Sequence, residues 1–243
     1  MTLPQAELVL MLVAAGLYLY DSALLLHINE GMVMPARGGA WRVRFGSSRL
    51  SFRGKELYVP SPFLPHRPEF RLLWSLRSGS VEAHGAWKAR RDLFKPLAPV
   101  VWAMACALFV LLPLGLFSIV GDWILLLALA VMYLGAAGAL LWLGAKRSAL
   151  GISRRQFWML AFEFFACPPF AVNVVRRVAV EMALDSDLLS VARALQTPAD
   201  WHASRGEFIA RLDEQIDAEE DSERSALLRQ SRQKLIEEAP CPA

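Results

Sequence analysis

The chain has 243 residues, 55% of them hydrophobic, and a formal net charge of +3 at pH 7. The apolar residues are concentrated, since residues 96–121 and residues 123–145 carry no charged side chain. Each of these stretches exceeds the roughly 20 apolar residues that a helix needs to cross a bilayer. The composition argues against a soluble globular domain and predicts a mainly α-helical integral membrane protein.

Cysteine and histidine positions predict no metal site. The three cysteines and four histidines are scattered, and no pair has Cys-x-x-Cys or zinc-ligand spacing. The chain also lacks a phosphate-binding glycine loop with a lysine, a Gly-x-Ser-x-Gly elbow and a His-Glu-x-x-His motif. From the sequence we therefore assign no catalytic residue, no metal and no cofactor, and we lean against an enzyme.

The first apolar run, from about Leu8 to Leu26, predicts a transmembrane anchor over residues 1–26. Asp21 is its only charged side chain, and it lies toward the basic end of the run, where the cost of burying a charge is smaller. No lysine or arginine precedes Arg37, so the run lacks the basic start of a cleaved signal peptide. We expect it to remain as an anchor.

Basic residues predict the orientation of the chain. Residues 27–96 contain thirteen basic and five acidic side chains, whereas residues 1–7 contain no lysine or arginine. Because cytoplasmic loops are enriched in lysine and arginine, the N-terminus is expected outside and residues 27–96 inside. Residues 97–145 then form a tight transmembrane hairpin, followed by Lys146 on the inner side. These features predict a multi-pass protein of a bacterial-type inner (cell) membrane.

Period-two alternation over residues 41–59 predicts a small antiparallel β-meander in the cytoplasmic basic segment. Trp41 and Val43, for example, alternate with Arg42 and Arg44. One face of this three-stranded insert is apolar and the other is mostly arginine. Since so small a sheet is only marginally stable alone, we expect its apolar face to rest on the membrane-proximal helices.

The remainder of the basic segment has two further signals. Four prolines in residues 60–68 exclude a helix there. Residues 80–95 predict a basic juxtamembrane helix that leads into the second span, with Ser80 as its N-cap.

Residues 146–177 contain an ambiguous apolar stretch. Residues 157–175 are long enough for a fourth crossing, but basic pairs flank both ends and two prolines at 168 and 169 would break a helix. We favour a re-entrant or interfacial helix-break-helix over a fourth span. Residues 178–243 predict a soluble, cytoplasmic tail of helices whose apolar faces pack as a hairpin or dock on a partner.

Four residues in membrane segments are the functional candidates, and each has a structural alternative. Glu163 could carry a proton or hold a cation, or it could pair at the interface with an arginine such as Arg154 or Arg155. Asp21 could be a helix-end carboxylate, and Asn173 could hydrogen-bond to Glu163. Cys167 could present a thiol or a lipidation site, although a small apolar residue at a kink is favoured.

A set of basic residues on the predicted cytoplasmic side is expected to contact the bilayer. Such residues are attracted to anionic head groups, and no nucleic-acid-binding motif accompanies them, so no nucleic acid partner is expected. The predicted lipid contacts are Arg42, Arg44, Arg49, Arg53, Lys88, Arg90 and Arg91.

Three hypotheses for function follow. The leading one is a non-catalytic accessory or assembly subunit that presents its cytoplasmic parts to a protein partner or to another copy of itself. The second is an oligomeric component for ion, proton or small-solute transport that uses Glu163. The third is a membrane-interface enzyme for a lipid-linked substrate, in which Glu163 converges with His66 or His84.

Overall fold

A computed structural model of the protein describes residues 3–74, 84–182, 184, 186–219 and 221–237. The chain is mostly helical, with small antiparallel sheets inserted between helices. Contacts within it define two compact units, which are interleaved in sequence. The first unit comprises Met1–Ala23, Val59–Pro68 and Arg90–Ala183, and the second comprises Leu24–Tyr58, Glu69–Ala89 and Leu184–Ala243.

Two helices are long and apolar enough to cross a membrane, by length and composition. The first is continuous from His84 to Phe117. It contains, in order, α2 (His84–Leu93), a 3₁₀ turn, α3 (Ala98–Cys106), a π-helical turn and α4 (Leu112–Phe117). The second is α5 (Gly121–Lys146), which follows after only three residues. The sequence predicted three or four membrane spans, and helix length and composition support two of them.

Glycine permits the tight turn between these two helices. A Cβ atom at Gly121 would lie 2.1 Å from the carbonyl oxygen of Gly115, and a Cβ atom at Gly115 would lie 2.8 Å from Leu125. Further along α5, a Cβ atom at Gly135 would lie 2.6 Å from the Met104 side chain. Small residues thus allow the backbones of α4 and α5 to approach closely.

The first predicted span ends earlier than expected. Helix α1 runs from Leu3 to Ser22, and strand β1 (Leu24–His27) begins two residues later. The prediction that the anchor continues to Leu26 is therefore wrong, because Leu26 pairs with Glu56 in a sheet and is fully buried. An apolar run does not by itself distinguish the end of a helix from the start of a buried strand.

The stretch after α5 forms a helix-break-helix. Helix α6 (Arg154–Ala166) begins with a capping box, in which Ser153 and Gln156 each accept a hydrogen bond from the other's backbone N–H. It ends at Cys167, and the short α7 (Pro168–Ala171) and then α8 (Val174–Glu181) follow. With 13 residues, α6 rises only about 20 Å, less than the ~30 Å apolar thickness of a bilayer.

The second unit contains two three-stranded antiparallel sheets. The first sheet has the order β1-β5-β4 and the second has the order β3-β2-β6. The strands are β2 (Glu30–Pro35), β3 (Trp41–Arg44), β4 (Ser47–Phe52), β5 (Lys55–Tyr58) and β6 (Phe70–Leu73).

The predicted single meander over residues 41–59 is wrong in its pairing. Strands β4 and β5 do form a hairpin, and its turn residues Arg53 and Gly54 have φ angles of 51° and 73°. Strand β3, however, pairs with β2 in the other sheet. The sequence analysis missed β2 because all six of its residues are buried, so no polar-apolar alternation marks it.

Aromatic side chains form the core of the second unit. Trp41 and Phe70 each pack edge-on against Trp87, at ring-centroid distances of 5.7 and 5.6 Å. Phe208 packs edge-on against Phe45 at 4.9 Å. These contacts bury large rings in the geometry that aromatic pairs prefer.

The tail is helical as expected, with α9 (Leu188–Leu195), α10 (Pro198–Ala218) and α11 (Ser222–Glu237). Asp187 and Thr197 cap α9 and α10, each accepting a backbone N–H with its side chain. Helices α10 and α11 pack against each other as a hairpin. The predicted helix at 80–95 is described from His84 onward, and its predicted N-cap, Ser80, lies outside the described residues.

We expect Gly121→Ala to destabilise the helical hairpin by about 1–3 kcal/mol, because the new methyl group overlaps the Gly115 carbonyl. The matched control is Gly138→Ala, because nothing lies within 4 Å of a Cβ atom there. This control should be neutral or stabilising by up to about 1 kcal/mol, since alanine favours a helix interior. Thermal unfolding in detergent micelles measures both variants. Equal melting temperatures would contradict the close approach.

Candidate functional site

An ion-pair cluster lies within the first unit and consists of Asp21, Glu163, Asn173 and Arg177. One guanidinium nitrogen of Arg177, Nη1, lies 3.1 Å from Asp21 Oδ1 and 2.5 Å from Glu163 Oε2. A single cation on α8 therefore pairs with a carboxylate on α1 and another on α6. The side chains of Asp21, Arg177 and Glu163 are 7%, 22% and 33% exposed, so the cluster is buried at Asp21 and partly exposed at Glu163.

Asn173 holds the other side of the Asp21 carboxylate. Its Nδ2 donates to Asp21 Oδ2 at 3.1 Å and to the backbone oxygen of Tyr18 at 3.0 Å. Asn173 is fully buried and immediately precedes α8. The amide thus joins the C-terminal turn of α1 to the start of α8, and it fixes the orientation of the carboxylate that Arg177 binds.

Arg176 extends the network toward the proline-rich loop of residues 59–68. Its Nη1 donates to Asn173 Oδ1 at 3.3 Å, and its Nη2 donates to the carbonyl oxygen of Ser61. The Tyr18 hydroxyl donates to the neighbouring carbonyl of Pro62 at 2.6 Å. Arg176 and Tyr18 are both buried, so these bonds replace water for the loop backbone.

The local sequence explains this convergence. Pro168 and Pro169 cannot continue α6, so the chain reverses over residues 167–173 and returns as α8. Cys167 lies at this break, where its N–H donates to the Glu163 carbonyl at 2.8 Å and its carbonyl accepts from the Phe170 N–H at 2.9 Å. The described contacts of Cys167 are therefore those of a backbone turn.

The structure brings together three of the four membrane candidates and corrects their pairing. Glu163 does pair with an arginine, but the two examples named from the sequence are wrong: Arg154 and Arg155 are exposed, and Arg177 binds Glu163. Arg154 and Arg155 lie nine and eight residues before Glu163, which separates them from it by roughly 12–14 Å along α6. Asn173, in turn, bonds to Asp21 and not to Glu163.

Sequence reasoning misses Arg177 because basic residues after an apolar stretch are typical markers of the cytoplasmic side. A usable signal was present, since Arg176 and Arg177 follow a proline break that would return the chain toward Glu163.

Glu181 lies one turn further along α8. Burial raises the pKa of Glu181, Arg177 opposes this rise, and the negative charge of Glu163 adds to it.

His66 occupies a different part of the first unit. Its ring packs against Trp102 with a centroid distance of 5.3 Å. Burial lowers the pKa of His66 below its ordinary value, and the positive charges of Arg67 and Arg176 lower it further. Within the part of the chain that is described, no hydrogen bond or ion pair joins His66 to Glu163, as the interfacial-enzyme hypothesis would require. His84 begins α2 and is exposed.

The predicted lipid-contacting residues have different surroundings. Arg42 pairs with Asp200 at 3.3 Å, and Arg91 pairs with Asp92 at 3.1 Å. Arg90 is half-buried. The remaining members are exposed, namely Arg44, Arg49, Arg53 and Lys88.

The first unit also contains an apolar cleft of about 570 Å³. Residues of α1, the π-helical turn, α5 and α7 line it, including Ala14, Leu108, Met132 and Pro168. Asp122 is the only charged residue in the lining. A cleft of this volume and polarity suits an apolar chain.

Among the residues that the structure describes, no group of three or more His, Cys, Asp or Glu side chains is arranged to hold a metal ion. No protein-family model, curated protein or solved structure matches this chain.

We expect Arg177→Met to lower the free energy of unfolding by about 3 kcal/mol, because it leaves two carboxylates unpaired in an apolar setting. Arg154→Met is the matched control and should change stability by less than about 0.5 kcal/mol, since Arg154 is exposed. Unfolding in mixed detergent micelles measures both. Adding Asp21→Asn and Glu163→Gln to Arg177→Met should recover part of the loss, and the absence of any recovery would argue against the ion pairs.

We also expect acid to destabilise the fold through His66. Because its pKa is lowered in the folded protein, the unfolded state binds the proton more readily, and this stability is lost as the pH falls below the ordinary histidine value of 6.5. His66→Gln should therefore reduce the loss of melting temperature upon acidification, whereas His202→Gln, at an exposed position, should not. Identical pH profiles for wild type and His66→Gln would contradict this assignment.

Proposed function

We propose that the protein is a non-catalytic accessory subunit of an inner membrane, which anchors its second unit at the cytoplasmic face for a protein partner. The observation that carries the proposal is the inverted arrangement of the first unit. Three charged side chains, Asp21, Glu163 and Arg177, pair with one another between its helices, and many of its large apolar side chains are exposed.

The apolar exterior of the first unit extends over several helices. Leu12 on α1, Leu134 and Leu141 on α5 and Phe162 on α6 have exposed fractions of 60%, 73%, 77% and 75%. Monomeric soluble proteins rarely expose contiguous apolar patches larger than a few hundred Å². Exposing such an apolar surface costs free energy in water but not among lipid acyl chains.

Helix lengths support three spans with one interfacial segment. Helix α1 has 20 residues and rises about 30 Å, which matches the apolar thickness of a bilayer. Helices α6 and α8 are shorter, and the exposed Trp158 on α6 is of the residue type that is enriched at the membrane–water interface. We therefore favour the re-entrant or interfacial placement of residues 146–177 over a fourth crossing.

The proposed orientation rests on fewer basic residues than the sequence suggested. Arg176 and Arg177 are engaged in the polar interior, so their charge is not available as a cytoplasmic marker. The excess of lysine and arginine in residues 27–96, together with Lys146 and Arg147, still favours a cytoplasmic second unit with the N-terminus outside.

The contacts of Glu163 favour an accessory role over transport. A carboxylate that carries a proton or cation must be able to release its partner, whereas Glu163 and Asp21 share Arg177 and thereby join three helices. The ion pairs of Asp21 and Glu163 with Arg177 are therefore structural contacts between helices. The second unit offers a separate folded body, with an aromatic core and a helical hairpin, for binding a partner.

Purification from native membranes in mild detergent tests this proposal. Size-exclusion chromatography with light scattering and mass spectrometry should find a second protein in constant stoichiometry with this chain. A chain that is always alone, or associated only with itself, would contradict a heteromeric accessory role.

A flux assay separates the transport alternative. We expect proteoliposomes containing the wild-type chain to show no ion or proton flux above protein-free vesicles, and Glu163→Gln to give the same result. Flux by the wild type that disappears in Glu163→Gln, with Glu163→Asp as the conservative control, would replace the accessory function with transport.

A further inference from the structure

The first sheet of the second unit has one buried and one exposed face. In its register Leu25 pairs with Leu57, while Lys55 pairs with both His27 and Phe52. Directly paired residues project from the same side of a sheet, and so do alternate residues of a strand. These five side chains therefore share one side, which we call the outer sheet face.

The opposite side of this sheet belongs to the core. Leu26, Glu56 and Tyr58 are at most 4% exposed. By contrast, Leu25 and Phe52 on the outer sheet face are 44% and 62% exposed. Of the apolar residues in the predicted meander, Phe52 is thus exposed at the exterior of the second unit, whereas Trp41, Val43 and Phe45 are buried.

Leu50 adds to this surface. It lies in β4, two residues before Phe52, where the pairing with β5 is irregular, and it is 58% exposed. Every residue of β4 from Ser47 to Phe52 is exposed. The outer sheet face, together with Leu50, therefore presents aliphatic and aromatic side chains along an edge strand.

Basic residues lie next to these apolar side chains along the edge strand, whose residues are all exposed, and in the turn that follows it. Arg49 and Arg53 flank Leu50 and Phe52, and Lys55 follows the turn. The Arg53 guanidinium lies 5.3 Å from the centre of the Phe52 ring. The only acidic residue in β4 and β5 is Glu56, which points to the buried side and pairs with Arg211 at 2.5 Å.

We propose that the outer sheet face lies on an anionic bilayer surface. Leu50 and Phe52 enter the boundary between head groups and acyl chains, and Arg49, Arg53 and Lys55 bind lipid phosphates. Apolar side chains flanked by long basic ones suit this boundary, because the aliphatic stems lie in the apolar layer while the charges reach the head groups. A protein surface as occupant would have to supply acidic groups around an apolar patch.

The position of the sheet in the chain supports this occupant. Strand β1 begins two residues after α1 ends, so the first sheet is joined almost directly to a helix that we propose to span the membrane. The inference rests on the proposed membrane anchoring. Of the basic residues predicted from the sequence to contact lipid, the proposal keeps Arg49 and Arg53. It adds Lys55 to them. It leaves out Arg42, which pairs with Asp200.

The test uses the full chain in nanodiscs with an environment-sensitive fluorophore. Cys106, Cys167 and Cys241 are changed to serine, and Leu50→Cys supplies the labelling site. In nanodiscs that contain phosphatidylglycerol we expect a blue-shifted emission and protection from aqueous iodide. A label at Leu227→Cys, on the exposed side of α11, is the control and should remain accessible to iodide.

Charge variants test the anionic lipid. Arg49→Glu and Arg53→Glu should each lower the ratio of shielded to exposed label by at least about fivefold, as expected for one basic contact to an anionic surface. Arg44→Glu, at an exposed position on β3, is the matched control and should leave the ratio unchanged. Nanodiscs of phosphatidylcholine alone, or high salt, should reproduce the effect of the charge variants.

The outcomes separate this inference from the membrane anchoring on which it rests. Extraction of the wild-type chain from vesicles by alkaline carbonate would overturn the anchoring itself. A chain that resists extraction, but whose label at position 50 is as accessible as that at position 227, would overturn only the lipid contact. Equal protection of the label at position 50 in phosphatidylglycerol, phosphatidylcholine and detergent would show that protein covers the outer sheet face. This result would also overturn the proposed lipid contact.

Discussion

The first unit depends on the ion pairs that Arg177 makes with Asp21 and Glu163. Without this guanidinium, α1 and α6 would each bury an unpaired carboxylate among apolar side chains, which is far costlier than burying a paired one. The ion pairs bring the first turn of α8 to Asp21 and Glu163, and the turn at residues 167–173 makes this approach possible. Asn173 and Arg176 then use the same reversal to hold the end of α1 and the proline-rich loop.

The two units use polar and apolar side chains in opposite ways. In the first, buried polar groups connect helices whose outer surfaces are apolar, as suits a lipid environment. In the second, aromatic rings form the interior, and a buried arginine, Arg211, binds Glu56, the Gly46 carbonyl and the face of Phe45.

Local sequence signals predicted much of the secondary structure. The uncharged stretches predicted the two long helices, and Pro168 with Pro169 predicted the break after α6. Each of these signals acts within one element of the chain. Prediction failed at β2, which has no alternating pattern, and at Leu24–His27, whose apolar residues suit a helix as well as a strand.

The sequence by itself therefore determined the two long apolar helices, the break at Pro168 and Pro169, and the presence of carboxylates in apolar segments. Only the tertiary structure decided which elements are neighbours: that β3 pairs with β2, and that Asn173 reaches Tyr18 from 155 residues away. The physical reason is that hydropathy and capping depend on adjacent residues, whereas strand pairing and ion pairs depend on where the chain reverses. Arg177 illustrates this, because its charge was visible in the sequence and its two partners were not.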